Sequence, residues 1–473
     1  MKTPCSRVGL LALLFTLTSL ADSTEARSNW PQWRGPLATG AAPEADPPLE
    51  WSETKNVKWK VAIPGAGSST PVVWGNRVFV LTAVPAPRAA GTKSAEPNPA
   101  EPPPPREGGP QRDDRARSGP GGPPGPGGPR GGSAPGEKPT DPVRFMVLCL
   151  DRATGSVLWE KTAREEVPHE GVQANNTYAS SSPITDGQVV LAFFGSRGLY
   201  CYDLDGNLKW SKDLGRMQTR NGFGEGASPA LHGDTVVIDW DDETDNDFVV
   251  AFDKRDGRQL WKTPRNEPTG WSTPLIVEHD QKLQVVVNAT GKVRSYDFGT
   301  GKEIWSCSGQ TPNAIPTPVA DADTVYCTSG FRGAALYAIK LNANGDIAGT
   351  DAVRWMHNKG TPYVPSPLLV DDLIYVVPGN SGMLTCLNSK TGEPNYQQER
   401  LEGVREVYAS PVAAKDRIYV LGRDGECVVL KKGATLEILA TNKLNDKTDA
   451  SIALAANQLF IRGKGNLYCI SGK

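Results

Sequence analysis

"DRATGSVLW" (residues 151–159), "DKRDGRQLW" (253–261) and "DFGTGKEIW" (297–305) share one pattern, an Asp four residues before a Gly and a Trp four residues after it. "DLDGNLKW" (203–210) is one residue shorter, and "NSKTGEPNY" (388–396) is a degenerate copy. Each copy follows a short apolar run: "FMVLCL", "GLYCY", "FVVAF", "KVRSY" and "MLTCL". Further upstream stands a Ser-Pro or Thr-Pro, at Pro71, Pro183, Pro229, Pro274, Pro318, Pro367 and Pro411. From Pro183 onward these prolines are spaced 46, 45, 44, 49 and 44 residues apart. Self-similarity at such a period marks a repeat architecture.

The physics of one unit can be read from its residues. After the proline come two apolar runs split by a polar turn, as in "PITDGQVVLAFFG" and "PLLVDDLIYVVPG", which predicts a hairpin. Proline costs no ladder bond at a strand's first residue. A third strand ends at the Asp, whose carboxylate accepts turn N–H groups while the Gly takes φ > 0. The fourth strand carries the Trp. Four strands in about 45 residues is one β-propeller blade. Residues 56–470, less a loop at 83–142, leave about 44 residues for each of eight units. The last unit, 449–470, replaces the proline with Ile452 and lacks a fourth strand, whereas "NVKWKVAIPG" (56–65) is a Trp strand without a third. The sequence therefore predicts an all-β, eight-bladed propeller closed by an N-terminal strand, which also removes open sheet edges. Seven blades is the fallback if the last unit is not a true blade.

The repeat Gly-x5-Asp-x-x-Thr-Gly-x3-Trp resembles that of pyrroloquinoline quinone (PQQ)-like propellers, over essentially the whole chain outside one insertion. That family includes quinoprotein alcohol dehydrogenases and non-catalytic propellers, among them the scaffold lipoprotein of the outer-membrane β-barrel assembly machinery. The stretch "NWPQWRGP" (29–36) resembles the N-terminal segment of exported planctomycete propellers of this kind. The resemblance implies that Trp59, Trp159, Trp210, Trp261, Trp305 and Trp355 dock one blade on the next. A WD40 propeller is disfavoured, because no unit carries the Trp-Asp or Gly-His signature.

Flanking segments set the context. Lys2 and Arg7 precede the apolar stretch 8–21, and Ala21 or Ala26 offers a small-residue cleavage site, so 1–26 reads as a signal peptide. Cys5 precedes the apolar run and is not placed as a lipobox cysteine. No later stretch approaches the ~20 apolar residues of a membrane span. An exported, periplasmic or extracellular, soluble monomer is expected. Within the insertion at 84–142, residues 101–140 hold 12 Pro and 11 Gly and almost nothing apolar, which predicts disorder. Residues 27–55 form a Trp-rich segment expected to pack on the propeller (56–473) as a peg, with Trp30 and Trp33 burying a large area. A formal net charge of −2 does not point to nucleic acid.

No catalytic residue stands out, and the four histidines are not spaced for a shared ligand set. The dehydrogenase resemblance implies PQQ stacked between a Trp and a disulfide of adjacent cysteines. It also implies calcium held by Glu, Asn and Asp beside a catalytic Asp. This chain has no adjacent Cys pair. Rim candidates are Asn176, Arg220, Glu225, Trp271, Tyr363, Arg405 and Glu406: Trp271 to stack, the arginines to meet carboxylates, Glu225 and Asn176 to ligate calcium. The alternating Asp241, Glu243, Asp245 and Asp247 are the best metal candidates, but without an EF-hand Gly they read better as a solvated acidic turn. Cys149, Cys201, Cys386 and Cys469 occupy one repeat position, filled elsewhere by Ala, Ser or Val, and so read as buried packing. A Cys307–Cys327 bridge is left open. The preferred reading is a non-catalytic scaffold for protein partners in the cell envelope. A PQQ-dependent dehydrogenase and a carbohydrate- or small-ligand-binding propeller are the alternatives.

Overall fold

The computed structural model describes residues 27–87 and 136–472. The expected signal peptide therefore lies outside the described residues, as does most of the Pro/Gly-rich insertion. Among the described residues the strands form eight sheets. Taken in chain order, these are blades 1–8 of a ring, spanning 72–166, 184–212, 230–264, 275–308, 319–357, 368–400, 412–443 and 453–471. Blade 8 takes its fourth strand from the other end of the chain: Val57–Ala62 pairs antiparallel with Asn466–Ser471. First strands of neighbouring blades meet one another, as Val72–Trp74 does with both Ile184–Thr185 and Ala453–Ala455, so they line a central channel. The apolar core lies between blades: one buried cluster spans blades 1 and 2, another blades 2 and 3, and the largest joins blades 7, 8 and 1. The ring is eight-bladed, and the seven-blade alternative is set aside.

The repeat motif has a contact for each of its residues. Asp151 Oδ1 accepts the N–H groups of Ala153 (2.9 Å) and Thr154 (2.8 Å), which turns the chain. Gly155 follows at φ 77°, a backbone that favours glycine. A β-bulge then sets Trp159 directly across from Cys149. The same pairing recurs as Trp59–Cys469, Trp210–Cys201, Trp261–Ala251 and Trp355–Ala338, so the small slot is the cross-strand partner of the indole. Five indoles donate to a turn carbonyl of the next blade: Trp59 to Arg152 (3.0 Å), Trp159 to Leu204 (2.9 Å), Trp210 to Lys254 (2.8 Å), Trp261 to Phe298 (2.8 Å) and Trp355 to Ser389 (2.9 Å). In each case the turn glycine of that next blade packs flat on the ring.

Trp305 behaves differently. It is fully buried and donates to Gln284 Oε1 (3.3 Å) within its own blade. Blade 5 has no Asp-x-x-x-Gly turn to receive it. Its longer connection doubles back instead, and Gly345–Asp346 pairs parallel with Trp305 and Ser306 at the outer edge of blade 4.

The Ser or Thr before each proline, with Ser451 before Ile452 in blade 8, forms a collar around the channel. The N–H of Thr70 donates to Ser182 Oγ (2.9 Å), Ser182 to Ser228 (2.9 Å), Ser228 to Thr273 (3.0 Å) and Thr273 to Thr317 (3.1 Å). Thr317 donates to Ser366, Ser366 to Ser410 and Ser410 to Ser451, each at 2.9 Å. All of these groups are buried, so a missing hydroxyl leaves a backbone donor unsatisfied.

The N-terminal segment crosses one end of the channel. Trp30 pairs with Val73 of blade 1, and Thr185 N of blade 2 donates to Pro31 O (2.9 Å). On the far side Thr39 O accepts Leu369 N of blade 6 (3.2 Å), and Ala41–Ala42 adds a parallel strand to blade 7. Trp30 is fully buried in the largest core cluster. The ordered hairpin of blade 1 extends to the pair Pro85–Val143, and Ala86 N donates to Pro142 O (2.9 Å). The insertion therefore leaves the sheet after residue 85, and its described ends are held by these pairings.

Candidate functional site

The channel opens where the loops enter the first strands, and it holds a cavity of about 970 Å³. Trp33, from the crossing segment, lines it, with Phe223, Trp271, Phe331, Tyr363 and Tyr408 among its other walls. Phe331 and Tyr363 stack at 5.0 Å, and Phe223 and Trp271 lie at 6.4 Å. Six collar residues face the same space: Thr70, Ser182, Ser228, Thr273, Ser410 and Ser451.

Local folding fixes each wall. Trp271 donates Nε1 to Gly224 O (2.6 Å) and N to Ala314 O (3.2 Å). The loop before it is held by Glu243, which accepts from Thr269 N (3.0 Å) and Oγ1 (2.9 Å). At the mouth, Arg423 donates to Asp449 Oδ1 (2.6 Å) and Glu406 Oε2 (3.0 Å) and lies 3.9 Å from the Tyr408 ring centroid. Arg423 was not singled out in the sequence, because its partners are 17 and 26 residues away on other loops.

The rim candidates divide. Asn176, Trp271, Tyr363 and Glu406 line the cavity. Asn176 is spent on the backbone: Nδ2 donates to Phe223 O (2.9 Å), and Oδ1 accepts Thr177 N (2.8 Å). Arg220 stands beside the cavity, its N donating to Thr269 Oγ1 (2.9 Å) and its Nη1 lying 3.5 Å from Asn313 Oδ1. Glu225 turns away into a separate small crevice, where it accepts Ser196 N and Oγ (both 2.6 Å) and Arg197 Nη1 (2.9 Å). Burial pushes its pKa up, against the pull of Arg197. Arg405 belongs to a different, open groove with Arg400, Asp424, Lys443 and Asp446.

The acidic run is a solvated turn only at its centre. Asp241 and Asp247 are buried, as are Asp239 and Asp242, while Glu243 and Asp245 are exposed. Arg265, with no exposed side-chain surface, donates Nε to Asp241 Oδ1 (2.8 Å) and lies 3.6 Å from Asp239. Asp247 Oδ2 accepts Glu267 N (2.6 Å). Burial pushes Asp239 up to about 6 and Asp241 in the same direction, against the attraction of Arg265. Acid–polar alternation looked like a surface hairpin, but the cation that draws these carboxylates inward is 24 residues away from Asp241.

His169, Glu170 and Glu225 bring ligand atoms within 4.8 Å of one another, a grouping the histidine spacing did not suggest. Each is engaged: His169 Nε2 with Met217 O (2.6 Å), Glu170 with Thr219 Oγ1 (2.7 Å) and Glu225 with Arg197. The Arg197 guanidinium, 3.4 Å from His169 Nδ1, supplies the positive charge there.

The residues do not fit the quinone and calcium set that the resemblance implied. Glu225 and Asn176 point to different spaces and are engaged by protein groups. The seven described cysteines are free and buried, Cys307 and Cys327 included, and none lines the cavity. No helix among the described residues is long and apolar enough to cross a membrane.

A family model described as "Outer membrane protein assembly factor BamB" matches residues 145–243 and 245–473. Similar solved structures include BamB from Moraxella catarrhalis, 16% identical, covering 71% of this chain and 95% of that one, with a TM-score of 0.51. A europium-containing methanol dehydrogenase is 10% identical, covering 95% and 92%, with a TM-score of 0.60. The quinohemoprotein alcohol dehydrogenase of Comamonas testosteroni is 11% identical, covering 96% and 82%, with a TM-score of 0.59. Such identities speak to fold alone. Among curated protein sequences none matches the chain. With its repeat, its eight-bladed ring and a family match over more than half its length, the chain belongs to the PQQ-like propeller family that includes BamB.

Proposed function

We propose that this chain is an exported, monomeric, non-catalytic propeller that acts as a binding scaffold for protein partners in the cell envelope. One observation carries the reading: the carboxylates lining the channel, Asp449 and Glu406, and the candidate ligands Glu225 and Asp241 outside it are held by the fold. Arg423 holds Asp449 and Glu406, Arg197 holds Glu225, and Arg265 holds Asp241. A general base or a calcium ligand needs lone pairs free to meet substrate or metal, whereas each of these carboxylates is engaged by an arginine. A rigid ring with variable loops suits recognition of other proteins. The five docking tryptophans and Trp305 are architectural, and Asn176, Arg220 and Arg405 have no catalytic task. The test is calorimetric titration of the purified chain with PQQ, with and without calcium. No calcium-dependent binding is expected. Calcium-dependent binding near one per chain would overturn the reading in favour of a dehydrogenase.

A second reading is favoured by the cavity itself. A space of about 970 Å³, walled by aromatic rings and crossed at one end by the chain's own N-terminal segment, has the size and lining of a small-ligand site. Scaffold and ligand binder are compatible in one ring.

A further inference from the structure

The segment that crosses the channel buries a charge that the fold leaves without a counter-ion. Arg34 is 1% exposed, and no carboxylate lies within 4 Å of it among the described residues. Its Nη groups donate to Pro367 O (2.7 Å), Pro411 O (3.3 Å) and Thr39 O (3.1 Å), and Nε has no partner. Burial lowers its pKa to about 9, so it keeps its proton at neutral pH. Carbonyl dipoles offset part of the cost of burying a cation, and an opposite charge nearby would offset the rest.

The position of this charge is informative. Pro367 and Pro411 directly follow Ser366 and Ser410 of the collar, so the guanidinium lies next to the blade 6 and blade 7 part of the hydroxyl ring. The Trp33 ring, 5.4 Å from the guanidinium carbon, separates it from the cavity. In the collar, the oxygens of Ser182, Ser228, Thr273, Ser410 and Ser451 already accept a backbone N–H. Each hydroxyl keeps a proton that it can donate, and all five residues line the cavity. Converging O–H donors over a buried cation are the chemistry of anion binding. The mouth does not oppose this: the two carboxylates Asp449 and Glu406 are matched by two cations, Arg423 and Lys464 (3.7 Å from Asp449), while Arg332, which lines the mouth, has no carboxylate within 4 Å among the described residues.

We propose that the channel seats a small organic anion on the hydroxyl collar above Trp33, with Arg34 as its buried counter-charge and the aromatic walls gripping a flat apolar body. This rests on the second reading above, that the channel is a ligand site.

The test uses three isosteric probes on the full chain at neutral pH by calorimetry: benzoate, benzamide and benzamidinium. Benzoate is expected to bind at one per chain at least tenfold more tightly than benzamide, with benzamidinium weakest. An Arg34→Met variant is expected to lower benzoate affinity to that of benzamide measured on the same variant. If no probe binds, the channel reading itself fails. If benzamide and benzoate bind equally, the channel reading stands and the anion inference is overturned. A benzoate preference that survives in Arg34→Met also overturns it. The probe comparison needs no variant, so it decides even if Arg34→Met does not fold.

Discussion

Replacing Gly257 by Ala tests how the blades are held together. Gly257 has φ 71°, and an added Cβ would lie 2.7 Å from Trp210 Cε3 and 2.8 Å from Cδ2. Trp210 has little room to withdraw, because it is 8% exposed and its Nε1 donates to Lys254 O at 2.8 Å. Gly233 serves as the control: its φ is 56°, but nothing lies within 4 Å of its added Cβ. Gly233→Ala carries the backbone cost alone, about 1 kcal/mol. Gly257→Ala adds the cost of overpacking, about 1–3 kcal/mol, for a total of about 2–4 kcal/mol. Urea unfolding read by circular dichroism and by tryptophan fluorescence gives both values, provided the two probes share a midpoint. If the two variants fall within about 0.5 kcal/mol of each other, the indole–glycine contact does not hold the blades as described.

Ser228→Ala should cost about 1–3 kcal/mol, because it strips the buried Ser182 N–H of its acceptor, whereas Ser228→Thr should be close to neutral; urea midpoints check both. Asp239 has a folded pKa near 6, above its value of about 3.9 in an unfolded chain, so the folded state binds the extra proton. Its ionisation therefore costs stability as pH rises from about 4 through 6, and the penalty is fully present above 6. Asp239→Asn should flatten that slope and raise stability at pH 7 by about 1–3 kcal/mol; an unchanged slope in a pH series of melts would refute this. Trp30→Ala should cost about 3–5 kcal/mol in the same urea assay, as the loss of a fully buried ring beside Val73; a cost below 1 kcal/mol would show that the crossing segment does not brace the ring.

The ring was legible in the sequence because each blade repeats the same local problem. The Asp-turn carboxylate, the Gly and the Trp act within nine residues, and the Ser/Thr-Pro marks each blade's start. The Trp305 contact was not legible, because it depends on what the next blade lacks. The buried flanks of the acidic run were not legible, because alternation of Asp and Glu says nothing of a cation, Arg265, just beyond another strand's end. Glu225 resembled a calcium ligand by type, yet Arg197, on the preceding blade, claims it. In the crossing segment, Trp30 is fully buried. Its neighbour Trp33 faces a cavity instead, and partners of Arg34 more than 300 residues away gave no local sign of the buried charge.

The pairing of Val57–Ala62 with Asn466–Ser471 has a consequence for how the molecule is made. Synthesis runs from one end, and residues 57–62 emerge long before their partner exists. Trp59 must wait for Cys469 and Phe460 to appear before it can be buried. The ring is thus a clasp fastened last. Until it shuts, a growing chain carries a strand with no neighbour, open to any other chain that offers an edge.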